Sequence, residues 1–94
     1  QPICESLYEF KVAAPTSGIV GLQGFVKLGY NADTKMIFVD DYVAPYEAKS
    51  GQLHLKVVVD QSSVELFTAD GTRCITLAVF PPAGTSRDLT TFGL

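Results

Sequence analysis

The sequence contains no tryptophan, a single histidine, a single methionine and two cysteines among its 94 residues. Charged residues are also scarce, at 18% of the chain against about 25% in an average soluble domain, which argues against a disordered, highly charged segment. The seven basic residues are scattered singly and are outnumbered by ten acidic ones, so the clustered Lys and Arg of a nucleic-acid binder are missing. No apolar run approaches the roughly 18 residues that span a bilayer. We therefore expect neither a nucleic-acid partner nor a membrane partner.

The length of the chain bounds the number of domains. A chain of fewer than about 100 residues holds one ordinary hydrophobic core, so residues 1–94 are predicted to form a single domain. The chain begins with Gln1 rather than Met, and residues 1–6 have neither the basic start nor the apolar stretch of a signal peptide. We expect the chain to be a part of a longer protein.

The two cysteines, Cys4 and Cys74, lie far apart in the sequence and match no CxxC or Cys/His spacing. We therefore predict no metal site and no other cofactor. Both thiols are expected to be free and mostly buried. The alternative, a disulfide between them, requires the first and sixth predicted strands to be neighbours.

Apolar side chains recur at a spacing of two, which is the period of a β-strand. In the clearest run, Leu53, Leu55, Val57 and Val59 alternate with other side chains, and turn-forming residues separate such runs along the chain. Seven strands are predicted, at residues 5–13, 20–30, 35–43, 52–60, 63–69, 72–80 and 88–94. Short strands without helical connections indicate an all-β fold, an antiparallel two-sheet β-sandwich of the concanavalin or jelly-roll type.

The pair Asp70-Gly71 is the clearest turn signal, because a two-residue type I′ loop needs a positive φ at both positions and Asp-Gly adopts it at low cost. Such a loop pairs Phe67 with Cys74 and Leu66 with Ile75. One face of this hairpin then carries Val64, Leu66, Ile75, Leu77 and Val79. The other face is also largely apolar and carries Glu65, Phe67, Cys74, Thr76, Ala78 and Phe80. A small sandwich covers only one of them, so the other is predicted to be an interface, unless the loop at 44–51 folds over it.

Two groups of residues invite a catalytic interpretation, and neither fits one. His54 is near Asp60, Ser62 and Ser63 in sequence, but strand alternation turns its side chain toward solvent and the serines form a polar turn without a GxSxG elbow. The adjacent pair Asp40-Asp41 points to opposite faces of a strand, so its carboxylates cannot flank one glycosidic bond. We predict no catalytic residue in this chain.

The aromatic residues offer an alternative, because the apolar faces of sugars pack on aromatic rings. Tyr30, Tyr42 and Tyr46 adjoin predicted turns and are the candidates for sugar contacts. Since tryptophan is absent, the simpler interpretation places the aromatic rings in the core or exposes them at strand ends. A sugar-binding module therefore remains an alternative hypothesis.

The run LHLKVVVDQSSVELFTADGTRCITLAVFP at residues 53–81 carries a recognisable pattern. A strand ends in Asp, a polar turn leads into Ser-Val-Glu and an aromatic residue, an Asp-Gly turn follows, and the next strand closes on Phe-Pro. The residues in this order are Asp60, Ser63, Val64, Glu65, Phe67, Asp70, Gly71, Phe80 and Pro81. The pattern resembles the C-terminal β-sandwich module of glycoside hydrolase family 32, which includes invertases, levanases, inulinases and fructan exohydrolases.

The resemblance implies a non-catalytic role. Members of this family hydrolyse β-fructosidic bonds in an amino-terminal five-bladed β-propeller, with catalytic carboxylates in WMNDPNG-like, RDP and EC motifs. None of these motifs occurs in the chain, so we expect it to be inactive alone and to be the C-terminal part of a glycosidase that acts on sucrose, levan or inulin.

The resemblance also implies a partner, the β-propeller catalytic domain of the parent enzyme. One face of the chain is expected to dock on it, either the face of Glu65, Phe67 and Phe80 or the opposite one. A homodimer, a fructan or sucrose-type ligand bound by a stand-alone module, and a generic interaction sandwich are the alternatives.

Overall fold

The computed structural model describes residues 6–48 and 51–94. Within them the backbone forms nine strands: β1 (Ser6–Ala13), β2 (Ile19–Gln23), β3 (Lys27–Asn31), β4 (Met36–Val39), β5 (Tyr42–Pro45), β6 (Gln52–Val59), β7 (Ser63–Thr68), β8 (Cys74–Ala78) and β9 (Thr90–Phe92). Among these residues no helix is long and apolar enough to cross a membrane.

The strands pair into two antiparallel sheets. One has four strands in the order β1-β6-β7-β8, and the other has five in the order β5-β4-β3-β2-β9. The two sheets pack face to face around a common core. The predicted all-β, two-sheet sandwich is therefore confirmed.

The strand count differs from the prediction because two predicted strands each contain a turn. Residues 20–30 divide into β2 and β3 at the bend of residues 24–26, and residues 35–43 divide into β4 and β5 at Asp40-Asp41. Asp40 has a φ of +50°, which Asp tolerates better than most residues, and its Oδ1 accepts a hydrogen bond from the Lys27 N–H at 3.0 Å. The Asp pair thus forms a hairpin turn rather than the end of a long strand.

The core lies between the inner faces of the two sheets. On β6, Leu53, Leu55, Val57 and Val59 are each at most 2% exposed, while the alternate residues of the strand are half-buried on the outer face. Each such aliphatic side chain contributes about 1.5–3 kcal/mol when it leaves water. The other fully buried residues that close the layer are Leu28, Ile37, Val39, Val64, Leu66 and Thr68.

The hairpin of β7 and β8 has the predicted register but not the predicted turn. Phe67 pairs with Cys74 and Leu66 with Ile75, so the first predicted face is the buried one. The loop spans residues 69–73, and only Gly71 within it has a positive φ, of +78°. A type I′ loop at Asp70-Gly71 is therefore wrong, because the Asp70 side chain accepts hydrogen bonds from Thr68 and Thr72 and holds a wider loop.

Cys74 is free and exposed, so the prediction of a mostly buried thiol is wrong at this position. It lies on the outer face of β8, where its Sγ is 3.4 Å from Glu65 Oε2. Cys4 lies outside the described residues. The strands β1 and β8 are at opposite edges of the same sheet, so the neighbouring strands that a disulfide requires are not formed.

A pair of glycines brings two strands of the larger sheet unusually close. Gly21 of β2 and Gly29 of β3 are cross-strand partners, and both are buried. A Cβ atom added to Gly29 would lie 2.1 Å from the Val20 carbonyl oxygen and 2.7 Å from the Gly21 Cα. Gly29 also has a φ of +153°, so its lack of a side chain is required by both space and backbone conformation.

We expect the substitution Gly29→Ala to lower the free energy of unfolding by roughly 2–5 kcal/mol, because it adds both a backbone clash and a strained φ. Gly71→Ala is the matched control. Gly71 has a positive φ, but an added Cβ has no atom within 4 Å, so we expect a cost of about 1 kcal/mol. Urea denaturation followed by circular dichroism measures both variants, and equal losses would show that the close approach is not limiting.

Candidate functional site

The three tyrosines predicted to contact sugar do not share one surface. Tyr30 is 3% exposed and belongs to the core. Tyr46 packs against its edge, with ring centroids 6.2 Å apart and an angle of 81° between the rings. Tyr42 is 59% exposed and lies at the other end of β5. The structure therefore brings Tyr30 and Tyr46 together, but of this pair only the half-buried Tyr46 reaches the surface.

The residues considered for a catalytic triad are separated. His54 points to the outer face of the four-stranded sheet, where its Nε2 lies 2.5 Å from Glu9 Oε2. Asp60 follows the end of the same strand, six residues further on, which is about 20 Å in an extended strand. The hydrogen bond with His54 is the main cause that lowers the pKa of Glu9. His54 and Glu9 therefore form a surface pair rather than part of a catalytic group.

The described residues contain no group of three or more His, Cys, Asp or Glu side chains that could hold a metal ion.

The residues that carry the family resemblance lie in a turn, in the core and at the end of a strand. Asp60 Oδ1 accepts a hydrogen bond from the Gln61 N–H at 2.7 Å, and its own N–H donates to the Ser63 carbonyl at 2.9 Å, which closes the turn between β6 and β7. Val64 is fully buried, whereas Phe80 is 81% exposed beyond β8.

The outer face of the four-stranded sheet, the charged outer face, mixes charged and apolar side chains. Cross-strand partners place Glu9 beside Lys56, and Lys56 beside Phe67. Its charged or titratable residues are Glu9, Lys11, His54, Lys56, Glu65 and Cys74. Alternating charges of both signs are typical of a solvated surface.

The outer face of the five-stranded sheet, the apolar outer face, is different. One cross-strand row crosses all five strands and contains no charged residue: Phe92, Gly21, Gly29, Phe38 and Val43. The neighbouring row adds Ile19, Asn31, Met36 and Pro45. Two of these aliphatic side chains are strongly exposed, Val43 at 57% and Ile19 at 41%.

The glycines give this apolar outer face its shape. Gly21 and Gly29 carry no side chains, so the rings of Phe92 and Phe38 stand on either side of a low floor formed by the backbone. The depression beside this floor has a volume of about 260 Å³. Its lining is apolar at Ile19, Met36, Phe38 and Val43 and polar or charged at Lys27, Asn31, Thr34 and Asp40. At one end of the face, the Lys27 ammonium lies 4.9 Å from the centre of the Phe92 ring, a favourable cation–π distance. The face is a shallow apolar trough.

A second depression, the Asp70 pocket, lies where the end of β5 meets the β7–β8 loop. It has a volume of about 360 Å³ and is lined by Pro45, Tyr46, Glu47, Asp70, Thr72 and Arg73. Asp70 Oδ1 accepts hydrogen bonds from the Thr68 hydroxyl at 2.7 Å, the Thr72 hydroxyl at 2.8 Å and the Thr72 N–H at 3.0 Å. These bonds, led by that of Thr68, lower the pKa of Asp70 to about 2.

Two further contacts tie the loop to β5. The Arg73 Nε–H donates to the Pro45 carbonyl at 2.7 Å, and the Tyr46 hydroxyl donates to Asp70 Oδ2 at 3.4 Å. Burial of the Tyr46 ring is the main cause that raises its pKa, and the charge of Asp70 adds to it. Since β5 and β8 belong to different sheets, these bonds link the two layers of the sandwich at this edge.

Sequence reasoning missed the apolar outer face and the role of Arg73. The predicted strand at 35–43 contained a usable signal, since Ile37 and Val39 alternate with Met36 and Phe38 and all four are apolar. A strand that is apolar on both sides needs a cover on both sides. Arg73 gave no such signal, because its partner Pro45 is 28 residues away and belongs to the other sheet.

The fold places this chain among the antiparallel two-sheet β-sandwiches. The family model described as the C terminal of the glycosyl hydrolases family 32 matches residues 8–93, which is nearly the whole chain. The chain therefore belongs to the family of C-terminal domains of family 32 glycosyl hydrolases, and the resemblance seen in the sequence is confirmed. No curated protein and no solved structure matches it significantly.

The network around Asp70 predicts a pH dependence. The pKa of Asp70 in the folded chain is about 2, below its usual value of 3.8, so its ionised form stabilises the fold. This contribution is complete above pH 3.8 and is lost as the pH falls through 2. We expect the difference in unfolding free energy between the wild type and Asp70→Asn to be constant above pH 4 and to shrink toward pH 2.

A ¹³C NMR titration of the Asp70 carboxyl tests the cause of this behaviour. We expect Thr68→Val to raise the pKa of Asp70, because it removes the hydroxyl that contributes most to the depressed value. Thr72→Val should raise it less, since the Thr72 N–H remains as a donor. An unchanged pKa in both variants would contradict the assignment.

Proposed function

We propose that this chain is a non-catalytic accessory domain of a β-fructosidase-type enzyme that hydrolyses sucrose, levan or inulin, and that it docks on the catalytic domain of that enzyme. The observation that carries the proposal is the family match over residues 8–93. On this proposal residues 1–94 are one domain, the C-terminal part of a larger glycosidase.

The sequence supports the absence of a catalytic role. A retaining glycosidase needs two carboxylates about 5–5.5 Å apart, one as nucleophile and one as acid/base. The WMNDPNG-like, RDP and EC motifs that supply these groups in the family do not occur in the chain. The adjacent Asp40 and Asp41 lie in a hairpin turn, where the Asp40 side chain accepts the Lys27 N–H.

The distribution of charge favours the apolar outer face as the docking surface. The charged outer face would bury Glu9, Lys56 and Glu65 against a partner, and each buried charge without an opposite charge costs several kcal/mol. The two central rows of the apolar outer face contain no charge. The charged side chains that line its depression are Lys27 and Asp40, at one end of the face. Its trough also receives a protruding side chain of a partner without displacing side chains of the sheet.

The sequence alone suggests a different docking face, that of Glu65, Phe67 and Phe80. Phe67 is half-buried between its cross-strand partners Lys56 and Cys74, and Glu65 Oε2 accepts the Thr76 hydroxyl at 3.3 Å. The part of this face that lies on the sheet is therefore a mixed polar surface around the Phe67 ring, while Phe80 is 81% exposed beyond the end of β8. The side chains opposite them, including Val64 and Leu66, are the core of the sandwich and are not free to dock.

We expect the chain to bind the catalytic domain encoded upstream of it, and the substitution Val43→Asp to weaken this binding at least about tenfold, because it places a charge in the interface. Isothermal titration of the two separately produced domains measures the affinity. Circular dichroism shows whether each variant keeps its fold.

The matched control is Leu7→Asp, on the charged outer face. Leu7 is 68% exposed and Val43 is 57% exposed, so the two substitutions alter equally accessible aliphatic residues on opposite sides of the sandwich. Weakened binding in Leu7→Asp alone would assign the docking to the charged outer face. An upstream reading frame without a WMNDPNG-like segment would favour a stand-alone binding module or a generic interaction sandwich, and association of the chain with itself alone would favour a homodimer.

A further inference from the structure

The Asp70 pocket has groups whose hydrogen-bonding capacity the fold does not use. Asp70 Oδ1 is occupied by Thr68 and Thr72. Among the described residues, Oδ2 receives one bond, the long one from the Tyr46 hydroxyl at 3.4 Å. A carboxylate oxygen accepts two or more hydrogen bonds. One oxygen thus fixes the orientation of the carboxylate, and the other is left facing the pocket with capacity to accept.

Arg73 complements this acceptor with a donor. Its Nε–H donates to the Pro45 carbonyl at 2.7 Å, and its Nη1 donates to the Thr72 carbonyl at 2.9 Å. These two bonds fix the plane of the guanidinium, while Nη2 has no protein partner among the described residues. Since a guanidinium cannot lose its proton, Nη2 is a permanent donor at the wall of the pocket.

The charges of the pocket favour a neutral ligand over an ion. Asp70 and Arg73 have opposite signs, and the second carboxylate, Glu47 Oε2, is 3.5 Å from the Lys35 ammonium. Asp70 would repel an anion, and Arg73 would repel a cation. A hydroxyl group meets neither penalty, because it donates to the carboxylate and accepts from the guanidinium.

The size and the apolar wall of the pocket restrict which neutral ligands fit it. A volume of about 360 Å³ lies at the lower end of the range of small-molecule sites, roughly 300–1,000 Å³. The half-buried ring of Tyr46 and the ring of Pro45 form the apolar part of the lining. A ligand with adjacent hydroxyls on one side and C–H groups on the other satisfies both parts.

We propose that the Asp70 pocket binds a neutral sugar, with hydroxyls of one ring joining Asp70 Oδ2 to Arg73 Nη2 and the C–H face of that ring packing on Tyr46. The site adjoins the apolar outer face at Pro45, but it lies beyond that face, at the edge where β5 meets the β7–β8 loop. It uses only Tyr46 of the three tyrosines suggested by the sequence. The proposal does not depend on docking to a catalytic domain.

The test is a titration of the ¹⁵N-labelled 94-residue chain with sucrose and with an inulin-type fructo-oligosaccharide, followed by ¹H–¹⁵N NMR spectra. We expect shifts concentrated at the amides of residues 46–47 and 70–73, with a Kd on the order of millimolar for so open a site. Arg73→Lys should weaken binding at least about tenfold, because the single nitrogen of lysine cannot occupy both the Nε position that bonds Pro45 and the Nη2 position that faces the ligand.

Two more variants serve as comparisons for Arg73→Lys. Tyr46→Phe keeps the ring and removes the hydroxyl, so we expect binding to persist while Asp70 Oδ2 loses the bond from Tyr46. Lys11→Gln is the control, because it removes a cation from the charged outer face that does not line the pocket. The same spectra show by their dispersion whether Arg73→Lys is folded, and the position of the wild-type shifts locates the site independently of any variant.

Three results would overturn the proposal. The first is the absence of sugar-dependent shifts at these amides in the folded wild-type chain. The second is an equal loss of affinity in Arg73→Lys and Lys11→Gln. The third is displacement of the sugar by sodium sulfate with tighter binding at the same amides, which would make the pocket an anion site. Because the catalytic domain is absent from these experiments, their outcome is independent of the docking titration.

Discussion

The two sheets are held together by the burial of one aliphatic face of each, and this single layer of packing constrains everything else in the chain. Leu53, Leu55, Val57 and Val59 of β6 are almost completely removed from water, and they face Leu28, Ile37 and Val39 of the other sheet across the core. A chain of 94 residues has no third layer with which to cover an outer face. Both outer faces therefore lie at the surface of the isolated domain.

The outer faces differ in charge and in shape, and this difference supports the proposal that the apolar outer face is the docking surface. On the four-stranded sheet, pairs such as Glu9 and His54 hold polar groups in water. On the five-stranded sheet, the close approach of Gly21 and Gly29 lowers the surface between Phe38 and Phe92. The same glycines that the backbone requires for strand pairing thus create a trough on the outside. The Asp70 pocket arises separately, at the edge where Arg73 joins the two sheets.

Local patterns were sufficient to predict much of this fold. The alternation in β6 and the Asp-Gly loop predicted the strands, the hairpin register and the buried face, because each depends on residues close together in the chain. The bends near Gly24 and Asp40-Asp41 were missed because the apolar pattern continues across both. The pairing of strands into two sheets, the Gly21–Gly29 approach and the bond from Arg73 to Pro45 depend on contacts between distant segments. No local pattern contains that information, so neither outer surface could be located from the sequence.

On the proposed function, the apolar outer face is the surface that is buried when this domain binds the catalytic domain. Cross-saturation NMR tests it most directly, with the methyl-labelled chain bound to the unlabelled catalytic domain encoded with it. We expect saturation to reach the methyl groups of Ile19, Met36 and Val43, and to spare those of Leu7 and Val58 on the charged outer face. Transfer to Leu7 and Val58 with none to Ile19 and Val43 would contradict it.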